Sequence, residues 1–484
     1  MVPGLSVSVI KDGVIEYAKG FGYADVQSKR PVTNTTLFGL AALSRAFSSV
    51  VLLKLLDEKN FTVFTRPADI LGDSFRFADS ERNLYAGIRD LLAHTLGIAN
   101  HNWMRFDDTI TRQNIVVRIQ HFDEIAPFRT KFLTNNLMYG VITRITEVLG
   151  KSSWENLIRK MIYDKIGMTT SDLLTTVNPL TKDVATGYSS DDEDGGIIES
   201  PFSLNDLIDH VTEIPTVDMA KWMHLHLSGG QTLSGQQVYD KAFLARCYEP
   251  HNVAVSSTYA RYFSKPNAPV SNTVSNYGFG WQNGHYRGWP ILTHTGTTWG
   301  YVSKITLIPD KKIGIFTAMN GLDDHYLYRT LLHNYLADLY IGTQPYLNAS
   351  TICSYPKPFF DDPKLRPEYG GNRPSVDKNV PPTHSLRTYV GAYKNSPYGT
   401  VHVAIDAAKN RLTLTYGVGS WYLYPKRGKT DEFSAEGKGI LYKLFYMDTV
   451  TFKIIGGVSH SIILNEFERR DPPEFVIIHA GIVG

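Results

Sequence analysis

Two stretches of alternating sequence, set at either end of a long helical region, restrict the fold of this chain more than any other feature. Residues 5 to 10 and 14 to 23 alternate around Asp12-Gly13, a dipeptide that supplies the left-handed backbone of a tight hairpin turn. The pattern returns in YVSKITLIPDKKIGIFTAMN at 301 to 320, where Pro309-Asp310 separates two runs. From about 38 to 240 the apolar residues recur instead with helical spacing, as in AFSSVVLLKLLDEK, NNLMYGVITRITEVLG and SWENLIRKMIYDKI. A hairpin at each end with helices between implies that both ends join one antiparallel sheet. The predicted architecture is α+β, a sheet covered by helices with a helical subdomain beside it. RTLLHNYLADLYIG, which follows the second hairpin, reads as a further helix.

Residues 355 to 384 hold seven of the 24 prolines, a density that opposes both helix and central strand. Beyond them, YVGAYKNSPYGTVHVAI, NRLTLTYGV, SWYLYPK, KLFYMDTVTFKII and HSIILNEFERR are short alternating strands divided by turn residues, the pattern of a small all-β barrel. The expected division is 1–345 for the first domain, 346–385 for a Pro-rich linker and 386–484 for the barrel.

Charge excludes several classes of function. The chain has 49 Lys+Arg against 47 Asp+Glu, a net charge of +2, which gives no footprint for nucleic acid or a polybasic membrane surface. No apolar run is long enough to span a bilayer. Cys247 and Cys353 could pair or remain free thiols, and two cysteines are too few for a structural zinc site, so no metal or cofactor is expected. The acidic run Asp191-Asp192-Glu193-Asp194 reads as a solvated loop, with weak calcium contact as the lesser reading. The N-terminus enters a strand pattern at once, so no signal peptide is expected in this chain. Three sequons, at Asn34, Asn60 and Asn348, mark possible glycosylation and lean towards secretion.

Several segments, taken in order, carry a family resemblance: VPGLSVSVIKDGVIEYAKGFGYAD, the helix at 38 to 58, IRDLLAHTLGI, PFRTKFLTNNLMYG, DKIGM, DMAKW, YGFGW and HTGTTWGYVSKITLIPDKKIGI. Together they resemble the serine β-lactamase-related proteins, which include class C β-lactamases, penicillin-binding proteins, D-aminopeptidases and related esterases of peptidase family S12. The resemblance implies a β-lactamase/transpeptidase-like antiparallel sheet flanked by helices. The C-terminal segment is similar to the lipocalin-like barrel of many such proteins.

Chemistry in that family uses a Ser-x-x-Lys at a helix start, a Tyr-x-Asn loop, and a Lys/His-Thr/Ser-Gly strand. The resemblance places Ala42 at the serine, Arg45 at the lysine and Thr134 at the tyrosine, with Asn135 between Thr134 and the matching Asn136. The third element stands as His294-Thr295-Gly296, with Thr297 and Ala42 expected to supply oxyanion-hole N–H groups. Each replacement has its own consequence. A methyl group cannot attack a carbonyl. An arginine keeps its proton and cannot serve as general base. A threonine hydroxyl lacks the reach and acidity of a phenol. The catalytic set is therefore expected to be degenerate at Ala42, Arg45 and Thr134.

Ser44 points roughly 200° away from Ala42 on a helix, and it and Ser48 are expected to bond locally. His94 is expected to serve the end of a helix, and the spacing alone gives His101 and Asp107 no partner. Arg45 at a helix N-terminus would make a cleft friendly to a carboxylate or an acidic saccharide. The plainer expectation is that it pairs with a nearby carboxylate and the cleft is a vestige. The functional expectation is a catalytically inactive hydrolase-fold protein with a structural or binding role. By overall likeness to the gigasin type of mollusc shell matrix, it would be extracellular, with matrix protein or polysaccharide as partner. The alternative is an active esterase, peptidase or acyl transferase using water activated near His294.

Overall fold

The computed structural model describes residues 2–190, 197–199, 212–214, 216–254, 262–263, 265–321, 323, 327–360, 376–439, 441 and 445–478. The acidic run at 191 to 194 lies outside them.

The two alternating hairpins meet as their patterning requires. Strands Gly4–Lys11 and Val14–Asp25 turn at Asp12 and Gly13, both with positive φ. Strands Tyr301–Ile308 and Ile313–Met319 turn through Pro309–Lys311. Gly4–Lys11 then pairs antiparallel with Ile313–Met319, Leu5 opposite Met319 and Lys11 opposite Ile313. The sheet continues through Trp289–Thr298, Gln282–Tyr286, Asn272–Tyr277 and Asn252–Val253, and reaches nine strands with Arg30–Pro31 at the other edge.

Side chains alternate across this sheet, so it needs cover on both faces. On one face Val9, Ile291, Ile313 and Ile315 pack with Leu327 and Leu331 of helix Leu327–Ile341. Leu347, Tyr355 and Phe360 join the same core, and the Tyr355 hydroxyl donates to the Tyr262 carbonyl at 3.2 Å. The other face belongs to a larger core containing helices Ser44–Glu58, Asn136–Gly150 and Thr216–Leu227. Phe47 of the first stacks on Trp222 of the third, with ring centroids 3.9 Å apart.

The C-terminal strands form a closed eight-stranded antiparallel barrel from Gly391–Asn395 to Glu474–Ile478, with the last strand paired back to the first. Its alternate residues, among them Tyr393, Val403, Leu414 and Trp421, fill the interior. The barrel docks through aromatic side chains on the short helix Asn102–Phe106. Trp103 stacks on Phe467 at 5.2 Å, while Phe106 meets Trp421 and Phe445 edge-on at 5.3 and 5.0 Å. Aromatic pairs of this kind add about 0.5–1.5 kcal/mol each beyond their buried area. No helix among the described residues is long and apolar enough to cross a membrane.

Candidate functional site

The segment leading into helix Ser44–Glu58 is held by backbone. After the short strand Phe38–Gly39, a 3-10 turn spans Ala41–Leu43 and passes directly into the helix. Ala41 has φ 52°, a left-handed conformation that costs a residue with a Cβ about 1 kcal/mol or more. Surrounding contacts enforce it. The Ser303 hydroxyl donates to the Leu40 carbonyl at 2.8 Å. Gly296 lies so close to the same carbonyl that a Cβ there would sit 1.9 Å from it. Gly280, at φ +78°, approaches Ala46 N to a distance that leaves 2.6 Å for an added Cβ. Two glycines thus press the strand wall and the YGFGW turn onto residues 40 to 46.

Ala42 is half-buried at this turn, and Arg45 is buried just beyond it at 8% exposure. The Arg45 Nη1 lies 3.2 Å from His94 Nε2, its Nη2 donates to Asn136 Oδ1, and its guanidinium carbon stands 5.0 Å from the Tyr139 ring centroid. The expected carboxylate partner is missing: among the described residues, Arg45 forms no ion pair. Its polar neighbours are neutral.

Helix Asn136–Gly150 places the second group of residues. Asn135 caps it, its Oδ1 accepting from Met138 N at 3.3 Å, and its Nδ2 donates to the Ala99 carbonyl at 2.8 Å. Asn136 is fixed from the 100–102 loop: its N–H donates to Asn100 Oδ1 at 3.0 Å and its Nδ2 to Asn102 Oδ1 at 3.1 Å. Thr134 is half-buried immediately before this helix.

His94 ties the two helices together. Burial first, then the Arg45 charge and His294, hold its pKa well below the usual imidazole range, so it is neutral at pH 7. The Asn135 N–H donates to its Nδ1 at 3.2 Å, while Arg45 Nη1 faces its Nε2. A neutral imidazole has one acceptor nitrogen. Two donors address its two nitrogens, so one of the contacts sets donor against donor.

The opposite wall is strand Trp289–Thr298, paired with Tyr301–Ile308 so that His294 faces Ile305 and Gly296 faces Ser303. His294 Nδ1 donates to the Thr295 carbonyl at 2.7 Å, and its Nε2 accepts from the Tyr277 hydroxyl at 3.2 Å. Burial, then the Arg45 charge, push its pKa down to about 3, with Lys304 adding a smaller effect. Behind this wall the buried Arg329 donates to the carbonyls of Gly296 and Ser303 and to Thr297 Oγ1, and pairs with Asp323 at 2.7 Å.

The structure therefore brings Arg45, Asn136 and His294 into one cluster, while Ala42 and Thr134 stand just before Arg45 and Asn136 in the chain and Thr295, Gly296 and Thr297 follow His294 on its strand. Three members escaped the sequence reading. His94 does stand at a helix end, with φ 59°, but it also contacts Arg45. Tyr139 lies one helical turn after Asn136, a spacing that could have flagged it. Tyr277, in YGFGW, reaches His294 only through strand pairing. Ser44 is fully buried, and Ser48 accepts from Trp154 Nε1 at 3.2 Å, a structural contact between two helices and not the local bond expected. His101 bonds Tyr398 across the barrel contact at 2.6 Å, and Asp107 pairs with Arg118 at 2.5 Å. No disulfide joins Cys247, which is buried, to Cys353, which is exposed. The carboxylates of Asp79, Glu81 and Glu124 lie near enough together for a cation, but Arg82 already pairs with two of them.

A family model described as beta-lactamase matches residues 1–336. Gigasin-6 of Magallana gigas is 37% identical over 205 residues, covering 42% of this chain and 67% of that protein. The unguisins hydrolase ungD of Aspergillus violaceofuscus is 26% identical over 447 residues, 86% of this chain and 76% of its own. Among solved structures, the octameric penicillin-binding protein homologue from Pyrococcus abyssi superposes with a TM-score of 0.60 at 20% identity, covering 98% of this chain and 96% of that one.

Proposed function

The chain belongs to the beta-lactamase family, and from that premise we propose that it is a catalytically silent, extracellular member that acts by binding. One observation carries the reading. The position where the family's general base is expected holds Arg45, fixed by contacts to His94 and Asn136. A guanidinium so placed cannot take a proton, and Ala42 beside it offers no nucleophile. Thr134 completes the loss, because its hydroxyl cannot shuttle protons as a phenol would.

The alternative, hydrolysis by water activated near His294, has a relative in its favour, since the fungal protein is named a hydrolase. The local chemistry opposes it here. The free lone pair of His294 is engaged by Tyr277, and an imidazole whose pKa lies near 3 is a feeble base at neutral pH.

The extracellular part of the reading, with a shell organic matrix as its setting and matrix protein or polysaccharide as partner, draws on the likeness to Gigasin-6. It also draws on the exposure of Asn34, Asn60 and Asn348, the three asparagines in glycosylation sequons. Incubation with a chromogenic β-lactam and p-nitrophenyl esters, followed by intact-mass measurement, tests the catalytic part. No turnover and no acyl adduct are expected, and turnover lost on His294→Ala would overturn the reading.

A further inference from the structure

Two other buried arginines and three half-buried ones act as controls for Arg45. Arg82 answers Asp79 and Glu124, Arg329 answers Asp323, and Arg112 sits between Glu147 and Glu155. Arg118 meets Asp107 and Arg287 meets Asp338. Each of these guanidiniums has a carboxylate within ion-pair distance. Arg45 is as removed from water as most of them and rests on an imidazole, an amide oxygen and a ring face. Neutral groups recover only part of the hydration that a buried charge gives up.

Position adds to the imbalance. Arg45 is the second residue of the 15-residue helix Ser44–Glu58, at the positive end of its dipole, where a cation is unfavourable. Neither this helix nor the 3-10 turn before it has a side-chain N-cap or an acidic residue in its first turn. Helices Ser80–Tyr85, Arg112–Arg118, Asn136–Gly150 and Trp154–Ile158, by contrast, are capped by Asp79, Thr111, Asn135 and Ser153. The Arg45 contact to His94 helps little, because that imidazole already accepts from Asn135. A buried cation with no carboxylate partner among the described residues, a dipole of the same sign and a helix entrance without a side-chain cap converge on one place, and a single anion would relieve all three.

We propose that the cleft at Arg45 is a non-covalent binding site for a carboxylate group, recognised by the Arg45 guanidinium and the backbone N–H of Ala42. The assignment rests on the silent-cleft reading, since it requires a site that holds its ligand without transforming it. One negative charge matches the Arg45 charge, which no carboxylate among the described residues answers, and the planar pair of carboxylate oxygens suits a guanidinium beside a peptide N–H. His94 and His294, both kept neutral partly by Arg45, add no competing charge at pH 7.

Calorimetric titration of the full chain with N-acetylglycine, N-acetylglycine amide and inorganic phosphate tests the site, with the probe recovered and weighed by mass spectrometry. The acid is expected to bind and the amide to fail. Arg45→Gln should lose about tenfold or more in affinity, the range of one charge-assisted hydrogen bond. Asn136→Asp would set an internal carboxylate against Arg45. It is expected to abolish binding while raising the melting temperature, a pairing of effects that a collapsed cleft would not produce. Equal binding of acid and amide, undiminished binding by Arg45→Gln, or phosphate binding tighter than the acid would overturn the carboxylate assignment. An unaltered probe that does not bind defeats this assignment alone, whereas a hydrolysed probe defeats the silent-cleft reading beneath it.

Discussion

On the strand side of the cleft, Gly296 lies against the Leu40 carbonyl and Arg329 holds the Gly296 and Ser303 carbonyls from behind, itself neutralised by Asp323. On the helix side, the candidate positions are side chains: a methyl at Ala42, a guanidinium at Arg45 with no carboxylate partner among the described residues, and a short hydroxyl at Thr134. The first wall is a backbone construction whose Arg329 is balanced by Asp323, and the second carries a guanidinium that no carboxylate among the described residues balances. The contrast teaches that the shape of such a cleft and its chemistry are stored in different parts of the chain. Close backbone contacts can keep the walls in place, and even keep Ala41 in a left-handed conformation, whatever side chains stand at 42, 45 and 134.

Breaking the balanced wall should cost most. Arg329→Met leaves Asp323 as a buried, unpaired charge and is expected to lose about 3–5 kcal/mol in urea unfolding. Gly296→Ala forces a Cβ onto the Leu40 carbonyl and should lose about 1–3 kcal/mol, with the helix entrance shifted. A loss below experimental error for either would mean that the strand wall does not hold the helix entrance.

Acid should act on both walls together. His94, His101, His226 and His294 all have pKa values lowered by burial, to about 4 for His101 and about 3 for His226 and His294. Unfolding frees them to bind protons near pH 6.5, so the unfolded state gains as pH falls. Their contribution is complete above about pH 6.5 and is lost progressively down to about pH 3, at roughly 1.4 kcal/mol per pH unit for each group. Melting curves from pH 8 to pH 4 should show this slope, and His294→Gln should make it shallower. A melting temperature flat across that range would contradict neutral, buried histidines.

The smallest effect is expected on the unbalanced wall. Arg45→Gln removes a charge that no carboxylate answers, so without ligand it should change stability by less than about 1 kcal/mol, or raise it. A loss as large as that of Arg329→Met would erase the contrast between the walls.

Much of the fold was legible because its signals are local. Period-two alternation and the Asp12-Gly13 and Pro309-Asp310 turns located the two hairpins, and the turn-divided strands after residue 386 described the barrel. The docking of that barrel onto Trp103 and Phe106 was not legible, since aromatic residues in a short helix read equally well as ordinary core. At the site, the family resemblance singled out Ala42, Arg45, Thr134 and the His294-Thr295-Gly296 strand. It missed His94, Tyr139 and Tyr277, whose roles depend on segments that only tertiary packing brings together. It also assigned Arg45 a carboxylate that the packing does not supply. A missing counter-charge is a property of the whole neighbourhood, and no single stretch of sequence contains it.

The central claim is that the cleft kept its frame and lost only its side-chain chemistry. Ala42→Ser, Arg45→Lys and Thr134→Tyr combined in one chain, exposed to a β-lactam or an activated ester and weighed intact, test it most directly. The account predicts a covalent acyl adduct on the triple variant and none on the native chain. A triple variant that folds, as judged by circular dichroism, yet gains no adduct would show that the frame had changed as well.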